Sequence, residues 1–69
     1  MAQLIELPNG DWCDPTQVRG IILGTLPDGR WTAQPATDQT VFVVFFPDEP
    51  TARAWAADFG RRVNEGRAE

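Results

Sequence analysis

The spacing of apolar residues changes at Pro47. Before it, the run Thr40 to Phe46, T-V-F-V-V-F-F, alternates Phe42, Val44 and Phe46 on one side with Val41, Val43 and Phe45 on the other. A segment apolar on both sides reads as a central strand buried on two faces. After Pro47, the stripe Ala52, Trp55, Ala56, Phe59 and Val63 falls at offsets 0, 3, 4, 7 and 11, the spacing of one face of an amphipathic helix. One helix hides one side of a sheet, so the pattern leaves a second apolar side without a cover inside the chain.

Upstream, Gln3 to Leu7 has strand character, and Pro8-Asn9-Gly10-Asp11 carries the Asn-Gly pair of a type I′ hairpin turn. A short return strand, Asp11 to Cys13, stops at Asp14-Pro15-Thr16-Gln17. There Asp14 suits the cap of a single helical turn and Pro15 its first position, where no N–H is needed. Val18 to Leu26 resumes as a strand, with Gly20 and Gly24 on the same side; glycines there imply a bulge or a flat patch beneath a large neighbour such as a tryptophan, or else close approach by a partner or ligand. Pro27-Asp28-Gly29 is a second turn, Arg30 to Gln34 a returning strand that includes Trp31, and 35–39 a loop.

The helix starts at Asp48-Glu49-Pro50, with Asp48 as N-cap and acidic residues at the positive end of the helix dipole. Gly60 costs it about 1 kcal/mol relative to alanine. Asn64-Glu65-Gly66 reads as the stop, which makes 1–66 one small domain and 67–69 a loose end. The expected fold is α+β: an antiparallel meander of four or five strands with one C-terminal helix packed on one face.

Phe42, Val44 and Phe46 form the larger apolar set and are assigned to the core with Trp55, Phe59 and Val63. Val41, Val43 and Phe45 then lie on the outer face, beside Ile21 or Ile22 and Leu23 of the neighbouring strand. Apolar patches of this kind mark interaction sites. Trp12 and Trp31 adjoin turns, where an indole either lids a small core or anchors an interface. The expected interface residues are therefore Val41, Val43, Phe45, Leu23, Trp12 and Trp31.

Composition narrows the function classes. The chain has 69 residues with 42% hydrophobic and 23% charged, the balance of a folded soluble protein. Its apolar runs fall short of the ~20 residues that span a bilayer, and its first residues lack the basic and apolar regions of a signal peptide, so a cytoplasmic location is expected. One cysteine and no histidine leave neither an internal disulfide nor the usual transition-metal ligands.

The net charge of −4 disfavours direct nucleic-acid binding, which rests on neutralising phosphates. Charge is also uneven: 1–51 carry two arginines against seven acidic residues, while 52–69 carry four against three. Arg53, Arg61 and Arg62 suit a solvated helix face.

The inventory for catalysis is poor. Cys13 has no histidine to activate it. Asp11 and Asp14 are better explained by a turn and a cap than as a carboxylate pair. The glycines do not form a phosphate-cradling loop. The sequence thus reads as a non-enzymatic interaction module without cofactor or metal, binding itself or another protein. Two alternatives stand beside it. One is an acidic mimic of nucleic acid that blocks a basic surface through Asp11, Asp14, Asp28 and Asp38; the other is a ligand-binding protein with a pocket between Trp12, Trp31 and the glycine-bearing strand.

Three stretches resemble small uncharacterised proteins encoded by phages and prophages of GC-rich bacteria. They are Leu4 to Trp12, Asp14-Pro15 with Val18, and Phe46-Pro47-Asp48-Glu49-Pro50 followed by Ala52, Arg53 and Trp55. The resemblance touches about half of the chain and carries no catalytic residues. It implies an accessory protein that acts by binding host machinery or a phage complex.

Overall fold

Two turns of one design shape the β half of the protein, seen in a computed structural model that describes residues 4–68. In Leu7-Pro8-Asn9-Gly10-Asp11 the Gly10 N–H donates to the Leu7 carbonyl at 2.9 Å, the Leu7 N–H to the Asp11 carbonyl at 2.7 Å, and the Asp11 N–H to Asn9 Oδ1 at 3.0 Å. Leu26-Pro27-Asp28-Gly29-Arg30 repeats the same three bonds at 3.0, 2.8 and 3.0 Å. Each turn has φ near +90° at its glycine alone. This is a type I turn closed by a left-handed glycine, with proline pre-setting the first bend. The type I′ turn expected at Asn9-Gly10 also needs positive φ at Asn9. That residue keeps a negative φ because Pro8 has already moved the turn one residue upstream.

The first turn joins β1 (Ile5–Glu6) to β2 (Trp12–Cys13); Gln3, assigned to this strand from sequence, lies outside the described residues. Asp14 then caps a 3-10 turn over Pro15–Gln17, accepting from the Thr16 N–H at 2.9 Å. Next come β3 (Val18–Thr25), β4 (Trp31–Thr37) and β5 (Val44–Phe46), a three-stranded antiparallel sheet in the order β3-β4-β5. The fold is α+β, a meander split into two small sheets with one C-terminal helix. Its central strand, however, is β4, and the segment expected at the centre is an edge. The residues 35–37 expected in a loop continue β4, which then turns tightly over Thr37–Thr40 toward β5, the Thr37 N–H donating to the Thr40 carbonyl at 2.8 Å.

Pro35 explains why β5 is shorter than its apolar run. The Phe42 N–H donates to the Pro35 carbonyl at 2.9 Å, so the backbone of residue 35 faces β5. In an antiparallel ladder such a pair exchanges two bonds, and proline lacks the second donor. Pairing lapses at Phe42 and Val43, leaving Val41 as an isolated bridge to Ala36. The ring itself is fully buried and fills core volume.

Helix α1 (Glu49–Ala68) starts where the spacing predicts, with Asp48 Oδ1 accepting from the Thr51 N–H at 2.9 Å. Its stripe of Ala52, Phe59 and Val63 is buried against Leu7, Cys13, Val18, Ala33, Val44 and Phe46. Trp55 links helix to sheet: its ring lies 5.5 Å from Phe46 and stacks on Phe59 at 5.0 Å.

The expected stop at Asn64-Glu65-Gly66 does not occur. Gly66 instead lets the helix pass against the 3-10 turn, where an added Cβ would stand 2.6 Å from Pro15 Cγ. Arg67, expected in a loose end, donates to the carbonyls of Pro15 and Val18 and ties down the last turn. Glu69 lies outside the described residues.

Candidate interaction surface

Strand register decides which side chains share the face turned away from α1. Ile22 pairs with Gln34, Gly24 with Thr32, and Thr32 in turn with Phe45; Gly20 pairs with Ala36, which bridges Val41. Val43 lies between Val41 and Phe45 along the chain and comes abreast of Gln34. All these positions have one parity, so they form one face. On it Ile22 is 56% exposed, Val41 49%, Val43 38% and Phe45 57%. Their partners across the strand, Val44 and Phe46, are buried, and Phe42 packs against the core.

The centre of this face is tightly built. Thr32 is buried beneath the larger side chains, with its hydroxyl accepting from Gln34 Nε2 at 3.3 Å. A Cβ on Gly24 would stand 3.3 Å from Thr32 Oγ1, so the close neighbour of that glycine is a threonine and not the large side chain expected. Gly20 has no such neighbour within 4 Å. The Arg30 guanidinium sits 5.6 Å from the Phe45 ring centre and pairs with Asp28 at 2.7 Å, while Arg19 pairs with Asp38 at 2.7 Å. The face thus carries Ile22 on one side and Val41, Val43 and Phe45 on the other of a central Thr32–Gln34 pair, with neutralised ion pairs at its ends.

Three of the six expected interface residues, Leu23, Trp31 and Trp12, lie elsewhere. Leu23 pairs with buried Ala33 and packs against the core; its neighbour Ile22 takes the outer position. The signal was present, because Ile22 shares its parity with Gly20 and Gly24. Trp31 pairs with Phe46 on the helix side, half-buried, with the Arg53 guanidinium 5.7 Å from its ring centre. It lids the core. Trp12 is 56% exposed on the side of the first hairpin opposite buried Cys13, beside neither Trp31 nor the outer face in the strand pairings.

Sequence reasoning did not find Asn9, whose Nδ2 donates to the Val43 carbonyl at 3.2 Å and pins the first hairpin to the outer edge of β5. The matching residue of the second turn is Asp28, which has no N–H to offer and spends its spare oxygen on Arg30. The amide of Asn9, where the second turn has a carboxylate, is the signal.

The carboxylates offered for catalysis or mimicry are largely engaged. Hydrogen bonds from the Thr16 hydroxyl and N–H hold Asp14 below the usual carboxylate range. The Arg30 N–H and guanidinium do so for Asp28, and the Arg19 guanidinium for Asp38. The Cys13 thiol is pushed up by burial and by the Asp14 charge, which keeps it protonated and unreactive. No helix among the described residues is long and apolar enough to cross a membrane. No protein-family model matches the chain, and neither a curated protein nor a solved structure does.

Proposed function

We propose that the chain is a non-enzymatic protein-interaction module that self-associates through the outer face of its larger sheet, an accessory protein of the phage type. The observation that carries this reading is the gathering of Ile22, Val41, Val43 and Phe45, all exposed, on the face that α1 does not cover. Contiguous apolar side chains of this size mark contact surfaces, because leaving them in water forfeits about 25 cal/mol per Å² that burial would recover. A twofold axis through the face satisfies it with a second copy, each apolar side chain meeting its counterpart.

Sedimentation velocity on the wild type and on Val43→Glu and Phe45→Glu tests the proposal. Self-association through this face gives a dimer in the wild type and monomers in both variants, with circular dichroism unchanged. A wild type that stays monomeric at high micromolar concentration, or dimers that survive both substitutions, would overturn it.

A further inference from the structure

The other long edge of the same sheet has a different character. Because residue 35 of β4 faces β5, residues 32, 34 and 36 face β3 and bind Gly24, Ile22 and Gly20. The backbone N–H and C=O groups of Ile21, Leu23 and Thr25 therefore point outward, and none of them has a partner among the described residues. At the Ile21 end of this edge lies a groove of about 260 Å³ between the start of β3 and the second half of α1. Its walls are Val18, Ile21 and Val63, and its rim is Arg19, Asn64 and Arg67.

We propose that this edge and groove take an extended peptide segment of another protein, carrying an acidic side chain, by strand addition to β3. Three observations select that occupant. Only an extended chain matches the alternating donors and acceptors of Ile21 and Leu23. The apolar walls receive the one side chain in two that such a strand turns toward the helix. The rim contains no acidic residue, and of its two arginines Arg67 has no carboxylate partner among the described residues.

Arg19 is occupied by Asp38, but Arg67 spends only Nε and Nη2 on the Pro15 and Val18 carbonyls. Its Nη1 keeps its hydrogens free among the described residues, at a groove that Asn64, one turn earlier in the helix, also lines, and this is where a carboxylate docks. A second copy of β3 fits worse. Its sequence, Val-Arg-Gly-Ile-Ile-Leu-Gly-Thr, brings no acidic residue to Arg67.

A random peptide library displayed against the protein tests this, with the enriched peptides synthesised with capped ends. The peptides are expected to alternate apolar residues around an aspartate or glutamate and to slow amide exchange at Ile21 and Leu23. Asn64→Glu, a substitution on exposed helix surface, should weaken them by about tenfold through like-charge repulsion. Gly60→Leu should abolish binding, since Gly60 lines the groove with nothing within 4 Å of its missing Cβ.

Four outcomes would overturn the proposal. They are enrichment of no sequence, peptides without an acidic residue, binding indifferent to Asn64→Glu, and protection confined to Val41 to Phe45. Concentration-dependent protection of Ile21 and Leu23 in the protein alone would assign the edge to a second copy instead.

Discussion

Alanine in place of glycine should have opposite effects at two points of the same helix. A glycine inside a helix costs roughly 0.5–1 kcal/mol relative to alanine, because the unfolded chain loses more freedom on folding. At Gly60 nothing lies within 4 Å of the new Cβ, so Gly60→Ala should recover that amount in full. At Gly66 the Cβ would stand 2.6 Å from Pro15 Cγ and 3.0 Å from Pro15 Cβ. Carbon atoms rest about 3.5–4.0 Å apart, so the 3-10 turn must retreat by about 1 Å. A proline ring cannot rotate aside, and Asp14, Thr16 and Arg67 all hold the turn in place.

Overpacking of this kind costs about 1–3 kcal/mol, more than the helix gains. Urea unfolding followed by tryptophan fluorescence reads the difference. With a slope of about 1 kcal/mol/M for a chain of this size, the midpoint should rise by up to about 1 M for Gly60→Ala and fall by about 1 M for Gly66→Ala. If both midpoints rose together, the helix end and the 3-10 turn would not be in contact and the reasoning would fail.

Further outcomes follow from the same geometry. Phe59→Ala empties the centre of the core and should cost about 3–5 kcal/mol, close to the whole stability of a domain this small, so circular dichroism should show a largely unfolded chain at 25 °C. Asn9→Asp should keep the first turn, as Asp28 keeps the second, yet lose the bond to the Val43 carbonyl; faster amide exchange in β5 with an unchanged hairpin is the expected signature. Asp14, Asp28, Asp38, Asp48 and Asp58 all have depressed native pKa values, from hydrogen bonds with Thr16, Arg30, Arg19, Thr51 and Arg61 respectively. The unfolded state therefore binds more protons near pH 3. Stability should be complete above the unfolded aspartate value of about 4 and decline as pH falls through the native values. A melting temperature constant between about pH 5 and pH 2.5 would contradict this.

Local signals made much of this structure legible from sequence. The helix start at Asp48, the stripe through Phe59 and Val63, the 3-10 turn at Pro15 and the sides of the Val41 to Phe46 run all follow from spacing and capping, which act within a few residues. Strand order does not. Which strand is central depends on pairings between distant segments, and Pro35, an argument for a loop, is tolerated in mid-sheet because one missing donor on one side is compatible with a buried ring. Gly66 misled for a related reason: a glycine that stops a helix and one that lets another segment close in look alike in sequence. Leu23 was misplaced although its parity was readable, since two adjacent residues cannot share one face of a strand.

The bond from Asn9 to β5 has a consequence for growth of the sheet. A sheet with two open sides can accept copies without end, which is the route to fibres. Here one side is partly stoppered by a side-chain amide and thinned by a proline, while the other offers its backbone freely. A strand that joins β3 meets a sheet whose far side does not readily continue. Strand addition, where it occurs, is thus expected on the β3 side rather than on the β5 side.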